Sequence, residues 1–296
     1  MSTGVRTLTS SAMAARVRGA SYWDLVWQRL RSDKLTMLCL SFILLLVIAA
    51  IFAPVIAPYG YNEMNPREAR QRPSLRHLAG TDELGRDIFS RLVYSLRNAI
   101  IVAFVASLSA VFLGGLIGSL AGYQGGVVDT LLVGVIDIMY AFPSFLFNII
   151  MVTVIGRGIA AVIIALAVTS WVGIARLMRG QVLSIKNRDF VLAGQALGAS
   201  QWRILLRYII PNAIGPIIVS MTFMIPSAML AEGALSYLGL GIPPPMPSWG
   251  NLISTGSANM RAFPYQLTIP AGSFALVLLA FTYLGDGVNR AMNPRD

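Results

Sequence analysis

The amino-acid sequence predicts an all-α polytopic membrane protein with six transmembrane helices and both termini in the cytoplasm. Composition is the first reason: 56% of the 296 residues are hydrophobic and only 12% are charged, with a mean hydropathy of +0.68, which argues against two soluble domains. Spacing is the second: apolar stretches long enough to cross ~30 Å of hydrocarbon recur along the chain, separated by polar connections. The net charge of +10 would suggest a nucleic-acid partner in a soluble protein. Here it reads as basic flanks that fix orientation, and no nucleic-acid partner is expected. Cys39 is the single cysteine and His77 the single histidine, so neither an internal disulfide nor a Cys or His metal cluster is expected. The sequence carries no phosphate loop, nucleophile–base pair or metal spacing, and reads as non-catalytic, with no cofactor of its own.

Residues 1–34 form a cytoplasmic segment with Arg6, Arg16, Arg18, Arg29, Arg31 and Lys34. Within it Tyr22–Leu30, with Trp23 and Trp27 four apart, predicts a short helix lying in the membrane interface. A transmembrane domain is expected over 35–296. Its first helix is the apolar run Leu35–Ala53, followed by Pro54-Val55 where a signal peptide would need a small-residue cleavage site. Residues 54–97 form an extracytoplasmic loop in which Leu84, Ile88 and Leu92 are spaced like a docked surface helix. In the second helix, Asn98–Gly122, the small residues Ala106, Ala110, Gly114, Gly118 and Gly122 recur every four positions. They predict a smooth face on which another helix packs closely.

Gly125-Gly126 predicts a tight cytoplasmic turn, and the third helix is expected over Val127–Ile155 with a kink at Phe142-Pro143. Asp137, about 15 Å into that helix, should lie near the midplane. With Phe142 and Pro143 it is the candidate for a translocation pathway or gate; a hydrogen-bonded packing role is the alternative. Asp129 lies near the interface. After a turn at Arg157 a fourth helix, Ile159–Leu177, delivers Arg176 and Arg179 to the cytosol. A fifth, Ala213–Ala231, should be bent at Pro216 and Pro226. Residues 232–265 form an outer loop whose Pro243, Pro244, Pro245 and Pro247 exclude a continuous helix, and a sixth helix covers Gln266–Leu284.

The long polar interruption at 178–212 is the organising feature of the second half. It predicts two short helices broken at a glycine. Asp189 can cap the first, with Ala193, Gly194 and Ala196 keeping one flank thin. Gly198 supplies a positive-φ stop and Ser200 caps the second helix. In the second helix Trp202, Leu205, Leu206, Ile209 and Ile210 form an apolar stripe opposite Arg203 and Arg207, and Pro211 ends it. A narrow helix tip presented to the cytosol suits the groove of another protein.

This stretch resembles the cytoplasmic coupling motif of ABC-importer membrane subunits. Leu192-Ala193-Gly194 stands at the Glu-Ala-Ala position, Gly198 at the following glycine, then Ala199-Ser200, with Ile209-Ile210-Pro211 closing the motif. Leu192 replaces the acidic residue and Gly194 the second alanine, so a contact here rests on shape and not on a carboxylate. Thr81-Asp82-Glu83-Leu84-Gly85-Arg86-Asp87 resembles the Thr-Asp-x-Leu-Gly-Arg-Asp signature of the C-type subunit in the dipeptide, oligopeptide and nickel branch. Leu235–Gly241 and Pro247–Gly250 are similar to two more signatures of that family. The resemblance covers the chain from about residue 30 and implies the type I ABC-importer transmembrane fold in a bacterial cytoplasmic membrane. It also implies a second homologous permease, one or two cytoplasmic ATPase subunits holding ATP and magnesium, and an extracytoplasmic substrate-binding protein. The implied substrate is a dipeptide or oligopeptide, with nickel complexes or glutathione as alternatives. A stand-alone secondary transporter is the competing class. It should show internal repeats or several intramembrane charges, whereas this sequence has one such charge and no repeat.

Overall fold

The computed structural model describes residues 22–293, so Arg6, Arg16 and Arg18 of the expected cytoplasmic segment lie outside the described residues. The chain is a bundle of helices with no strand among the described residues beyond an isolated bridge between Thr81 and Asp87. Helix α1 (Tyr22–Ser32) precedes α2 (Lys34–Ile51), whose N-terminus is capped by the Asp33 carboxylate accepting from the Leu35 and Thr36 amides. The turn α3 (Ala53–Ile56) leads to the outer loop. Among the described residues five helices are long and apolar enough to cross a membrane: α2, α4 (Ile88–Gln124), α7 (Ile159–Ile185), the continuous Gln201–Tyr237 helix and α12 (Tyr265–Met292). A sixth crossing is made if α5 (Gly126–Ala141) and α6 (Ser144–Ile155) count as one span.

The centre of the bundle is the seam between α4 and α7. Ala106, Ala110, Gly114, Gly118 and Gly122 are all buried along it. A Cβ at Gly114 would stand 2.7 Å from Ile174 Cβ, one at Gly118 3.0 Å from Ala175 Cα, and one at Gly122 2.9 Å from Val182 Cβ. Backbone therefore touches backbone, the close approach that small residues at this spacing permit. Around the outer half, Val102, Ala103, Val162, Ala165, Met229, Leu235, Trp249 and Phe274 close a second layer.

Several expected boundaries move, each for a local reason. There is no docked helix at Leu84, Ile88 and Leu92. Gly85 (φ +72°) turns the chain, Leu84 is exposed, and the second spanning helix starts ten residues early at Ile88, capped by Asp87. The third span is not kinked but broken: α5 and α6 meet at 87°. Pro143 disfavours the α conformation at Phe142 (ψ 133°), and Pro143 itself is extended (ψ 112°), so two residues drop out of the helix. Neither half, at about 24 and 18 Å, crosses the hydrocarbon alone. Helix α7 continues past Leu177 to Ile185, and α12 past Leu284 to Met292.

Pro211 does not end a helix. The short α9 (Gln201–Ile204) passes through a π turn, Leu205–Ile209, into α10 (Ile210–Tyr237). The wider turn makes room for the proline ring, which would clash with the carbonyl four residues back in a regular helix. It also shifts the apolar stripe: Ile204, Leu205 and Ile209 are buried, while Trp202 and Leu206 are exposed. Pro216 and Pro226 lie inside α10 without ending it. Residues 232–265 are not all loop, because α10 runs to Tyr237 and α11 fills Trp249–Ala258.

Candidate functional site

The polar segment expected to couple is a helical hook at the end of α7. Helix α8 (Asp189–Ala196) begins at Asp189, but Arg188 occupies the cap position and the Asp189 side chain caps nothing. Gly198 takes φ +79° as expected, and the Ser200 hydroxyl accepts from the Arg203 amide at 3.4 Å, starting α9. Leu192 and Ala193 face solvent, as does Gly198, and Ala199 is half-buried. Gly194 is buried, and a Cβ there would lie 3.5 Å from the Tyr208 ring, so its thinness serves packing within the hook. Leu197, 88% exposed, is the apolar tip. Beside Leu192 a polar cleft of about 320 Å³ is lined by Tyr123, Gln124, Lys186, Gln195 and Gln201. Lys186 Nζ donates to the Gly122 carbonyl at 3.1 Å, tying the base of the hook to the end of α4.

Asp137 is not a lone buried charge. Its side chain is 57% exposed in the chain, and its Oδ1 accepts from Arg176 Nη2 at 2.5 Å. The Arg176 guanidinium also lies over Tyr140, 3.9 Å from the ring centroid. One turn further in, Arg179 donates twice to Asp129, both at 2.6 Å. Two ion pairs thus join α5 to α7. A helix ending at Leu177 leaves Arg176 at its last turn and Arg179 beyond it, both as cytosolic flank; instead Arg176 faces α5, and the continuation of α7 to Ile185 makes Arg179 an interhelical partner as well. Phe142 and Pro143 stand at the break, on the wall of a cavity of about 410 Å³ with Met139, Tyr140, Ser144 and Thr169. Phe142 and Pro143 therefore line one groove, apart from the hook, while Asp137 is not among its lining residues and is linked to it only through Arg176, which lies over Tyr140.

A second cavity, about 330 Å³, lies between α6, α7 and α10. Asn148, Thr169, Ser170, Ser220 and Ser227 line it, and it shares Ser144 and Thr169 with the first. None of these polar residues stands out from the sequence as a site. The available signal was their presence inside otherwise apolar spans, where a hydrogen-bonding side chain calls for a partner.

The outer face is a tightly bonded cap. The Thr81 hydroxyl donates to the Glu68 carbonyl and accepts from the Gln71 amide. Asp82 accepts from the amides of Leu84 and Arg86 and from Arg86 Nε at 2.6 Å. Asp87 meets His77 Nδ1 at 2.9 Å with one oxygen and receives the Ser90 amide and hydroxyl with the other. The Leu235–Gly241 and Pro247–Gly250 stretches pack on one another, a Cβ at Gly250 standing 2.8 Å from Ser236 Cβ. Ser236 donates to the fully buried Glu232, Asn251 Nδ2 donates to the Ile242 carbonyl, and Asn98 Nδ2, from α4, donates to the Pro247 carbonyl. Gln266 Nε2 donates to the Thr81 carbonyl at 3.0 Å and joins both halves of the cap.

This arrangement has known relatives. Residues 114–295 match the family described as binding-protein-dependent transport system inner membrane component, and residues 21–73 match the N-terminal TM domain of oligopeptide transport permease C. The chain is 40% identical over 278 residues to the oligopeptide transport system permease protein OppC of Bacillus subtilis (strain 168), covering 94% of this chain and 91% of that protein. It is 40% identical to the dipeptide transport system permease protein DppC of the same organism, covering 93% and 86%. It is also 39% identical to the glutathione transport system permease protein GsiD of Escherichia coli O6:K15:H31 (strain 536 / UPEC), covering 92% and 90%. Among solved structures, inward-facing conformations of the MetNI methionine ABC transporter share the fold, with a TM-score of 0.57 at 17% identity over 70% of this chain and 98% of that one. The homologous spans, the hook and the fold agree: this chain belongs to the family of binding-protein-dependent transport system inner membrane components, as a C-type permease subunit that crosses the inner membrane several times.

Proposed function

We propose that this chain is the C-type membrane subunit of an ABC importer for short peptides, working without catalysis of its own. A partner ATPase, one or two chains holding ATP and magnesium, receives the hook Asp189–Ser200. A second homologous permease covers the open face of α5 and α6, and an extracytoplasmic binding protein delivers substrate to the cap. The observation that carries the peptide reading is the 40% identity, over more than nine-tenths of this chain, to relatives named for oligopeptides and dipeptides. The relative named for glutathione is consistent with it, since glutathione is itself a tripeptide. The uncharged, hydroxyl-rich groove supports it too: the two cavities present hydrogen-bonding groups and no fixed charge among their lining residues, which suits cargo that varies in side-chain charge.

The hook supports the coupling role by its shape. It presents Leu192 and Leu197 to solvent on a helix tip braced by Lys186 and Tyr208. Closure of the ATPase pair would move this tip, and α7 with it. The test is reconstitution. The purified complex in liposomes should import a tripeptide only with ATP inside and binding protein outside, while this chain alone should neither hydrolyse ATP nor import. Uptake by the chain alone on a proton or sodium gradient would refute the proposal in favour of a secondary transporter.

A further inference from the structure

The groove contains a built hydrogen-bonding site that packing does not consume. Asn148 is 4% exposed, and its Oδ1 accepts from the Thr169 hydroxyl at 2.9 Å, the shortest contact of that hydroxyl, which also reaches the Ala165 and Leu166 carbonyls at 3.2 Å. Its Nδ2 donates to nothing among the described residues, yet it is not sealed inside protein; Asn148 lines the 330 Å³ cavity. A carboxamide donor with no acceptor is costly within an apolar span, where water is scarce. Thr169 anchors the carboxamide through that bond. Ser144, Ser170, Ser220 and Ser227 surround the same space. The two adjoining cavities each fall within the roughly 300–1,000 Å³ of small-ligand sites.

We infer that Asn148, positioned by Thr169, is a substrate subsite that donates from Nδ2 to a backbone carbonyl of the passing peptide. The inference rests on the peptide reading above and deepens it. A peptide carbonyl is present in every cargo whatever its side chains, and it matches a lone neutral donor. With no charge on the cavity walls, the subsite reads the backbone and ignores side-chain charge. The Ser144, Ser170 and Ser220 hydroxyls rotate to donate or accept, and Ser227, which donates to the Phe223 carbonyl at 2.8 Å, can still accept, so together they suit either edge of neighbouring peptide units. Asn148 is thereby a specificity-determining residue for amide-containing cargo, and Thr169 a positioning residue that acts through it.

The test compares two cargoes in the reconstituted complex at saturating binding protein: tri-alanine, and its isostere with one peptide bond replaced by an (E)-alkene. The ratio of their uptake rates contains a contribution from the binding protein, common to wild type and variants, which cancels between them. Losing one neutral hydrogen bond is worth about three- to tenfold. Asn148→Ala should therefore shrink the amide-over-alkene ratio by that factor in complexes that assemble as wild type does. Thr169→Val, which frees the carboxamide to rotate, should shrink it in the same direction by less. An unchanged ratio in Asn148→Ala means a water-filled vestibule only and overturns the inference while the peptide reading stands. If neither variant assembles, the pair is packing and the inference falls as well. Wild-type complex that fails to import tri-alanine overturns the peptide reading itself, and this subsite with it.

Discussion

Gly118 offers the most direct measurement of what holds the bundle together. A Cβ placed there would lie 3.0 Å from both Cα and C of Ala175 and closer still to its carbonyl oxygen. Carbon atoms rest at about 3.5–4.0 Å, so α4 and α7 must part by on the order of 1 Å to admit a methyl group. The obstacle is backbone, which cannot swing aside as a side chain tip would. A gap of that size forfeits a quarter to a half of each dispersion contact along the seam, and overpacking of this kind costs about 1–3 kcal/mol. Alanine returns about 1 kcal/mol of helix propensity, which leaves Gly118→Ala destabilised by up to about 2 kcal/mol. Gly115 is the internal control: it lies on the same helix with nothing within 4 Å of its Cβ, so Gly115→Ala should be neutral or slightly stabilising. The assay is the fraction of complex that stays monodisperse after graded heating in detergent. Gly118→Ala should lose several °C of midpoint and Gly118→Leu should fail to assemble. If Gly118→Ala matches Gly115→Ala, the seam is not close-packed in the membrane.

Gly198→Val meets no atom within 4 Å but must adopt φ +79°, at about 1–2 kcal/mol or more. The subunit should insert and assemble yet lose binding-protein-stimulated ATPase and uptake; wild-type coupling would make the hook an ordinary surface loop. Leu192→Ala, at a half-exposed position, should change uptake less than about twofold, because only packing is removed. Asp137→Asn keeps the bond to Arg176 but not the charge, so uptake should fall while the complex still forms; unchanged uptake, with loss only in Asp137→Leu, would assign Asp137 to packing. The Asp33 carboxyl, bonded by Arg290 and by Thr36, is pulled down to about 2. Its contribution to the docking of α2 on α12 is therefore present above about pH 4 and lost as pH falls towards 2. Thermal midpoints of wild type and Asp33→Asn should converge over that range, and a gap that persists at pH 2 would refute the linkage.

Features governed by local rules were legible in the sequence. The four-residue period of small residues gave the α4 face, Gly125 and Gly126 gave the turn, and Gly198 and Ser200 gave the geometry of the hook, because backbone freedom and capping are decided within a few residues. What failed depended on contacts across the chain or on how far a strain propagates. Pro211 reads as a helix end until the π turn Leu205–Ile209 absorbs its ring, a backbone adjustment with no residue signature. Asp137 reads as a lone buried charge because its partner Arg176 is 39 positions away, and only the packing of α5 against α7 brings the two together. Leu84, Ile88 and Leu92 have helical spacing, but Asp82 and Asp87 spend their oxygens on local amides and start the helix at Ile88 instead. Asn148 and Thr169 lie 21 positions apart, and nothing in either stretch reveals that they meet.

These contacts also say where the bundle can change shape. Along Gly114–Gly122 the α4 backbone meets α7 with no layer of large side chains left to slide or re-rotamer, so the two helices are constrained to move together. The outer end of α4 is fixed in the cap through Asp87, and its inner end is tied to the base of the hook through Lys186. Motion must then be taken up by looser elements. The α5–α6 pair is one: it is broken at Phe142-Pro143, and it meets α7 partly through the half-exposed Asp137–Arg176 ion pair. Exposed pairs contribute about 0–1 kcal/mol, so exchanging partners there costs little compared with prising apart a glycine seam. Displacing the hook would carry α7 and α4 as a unit while α5 and α6 lag behind. The space that opens is bounded by Ser144 and Thr169, the two residues shared by both cavities, and that is where Asn148 stands with its unspent donor.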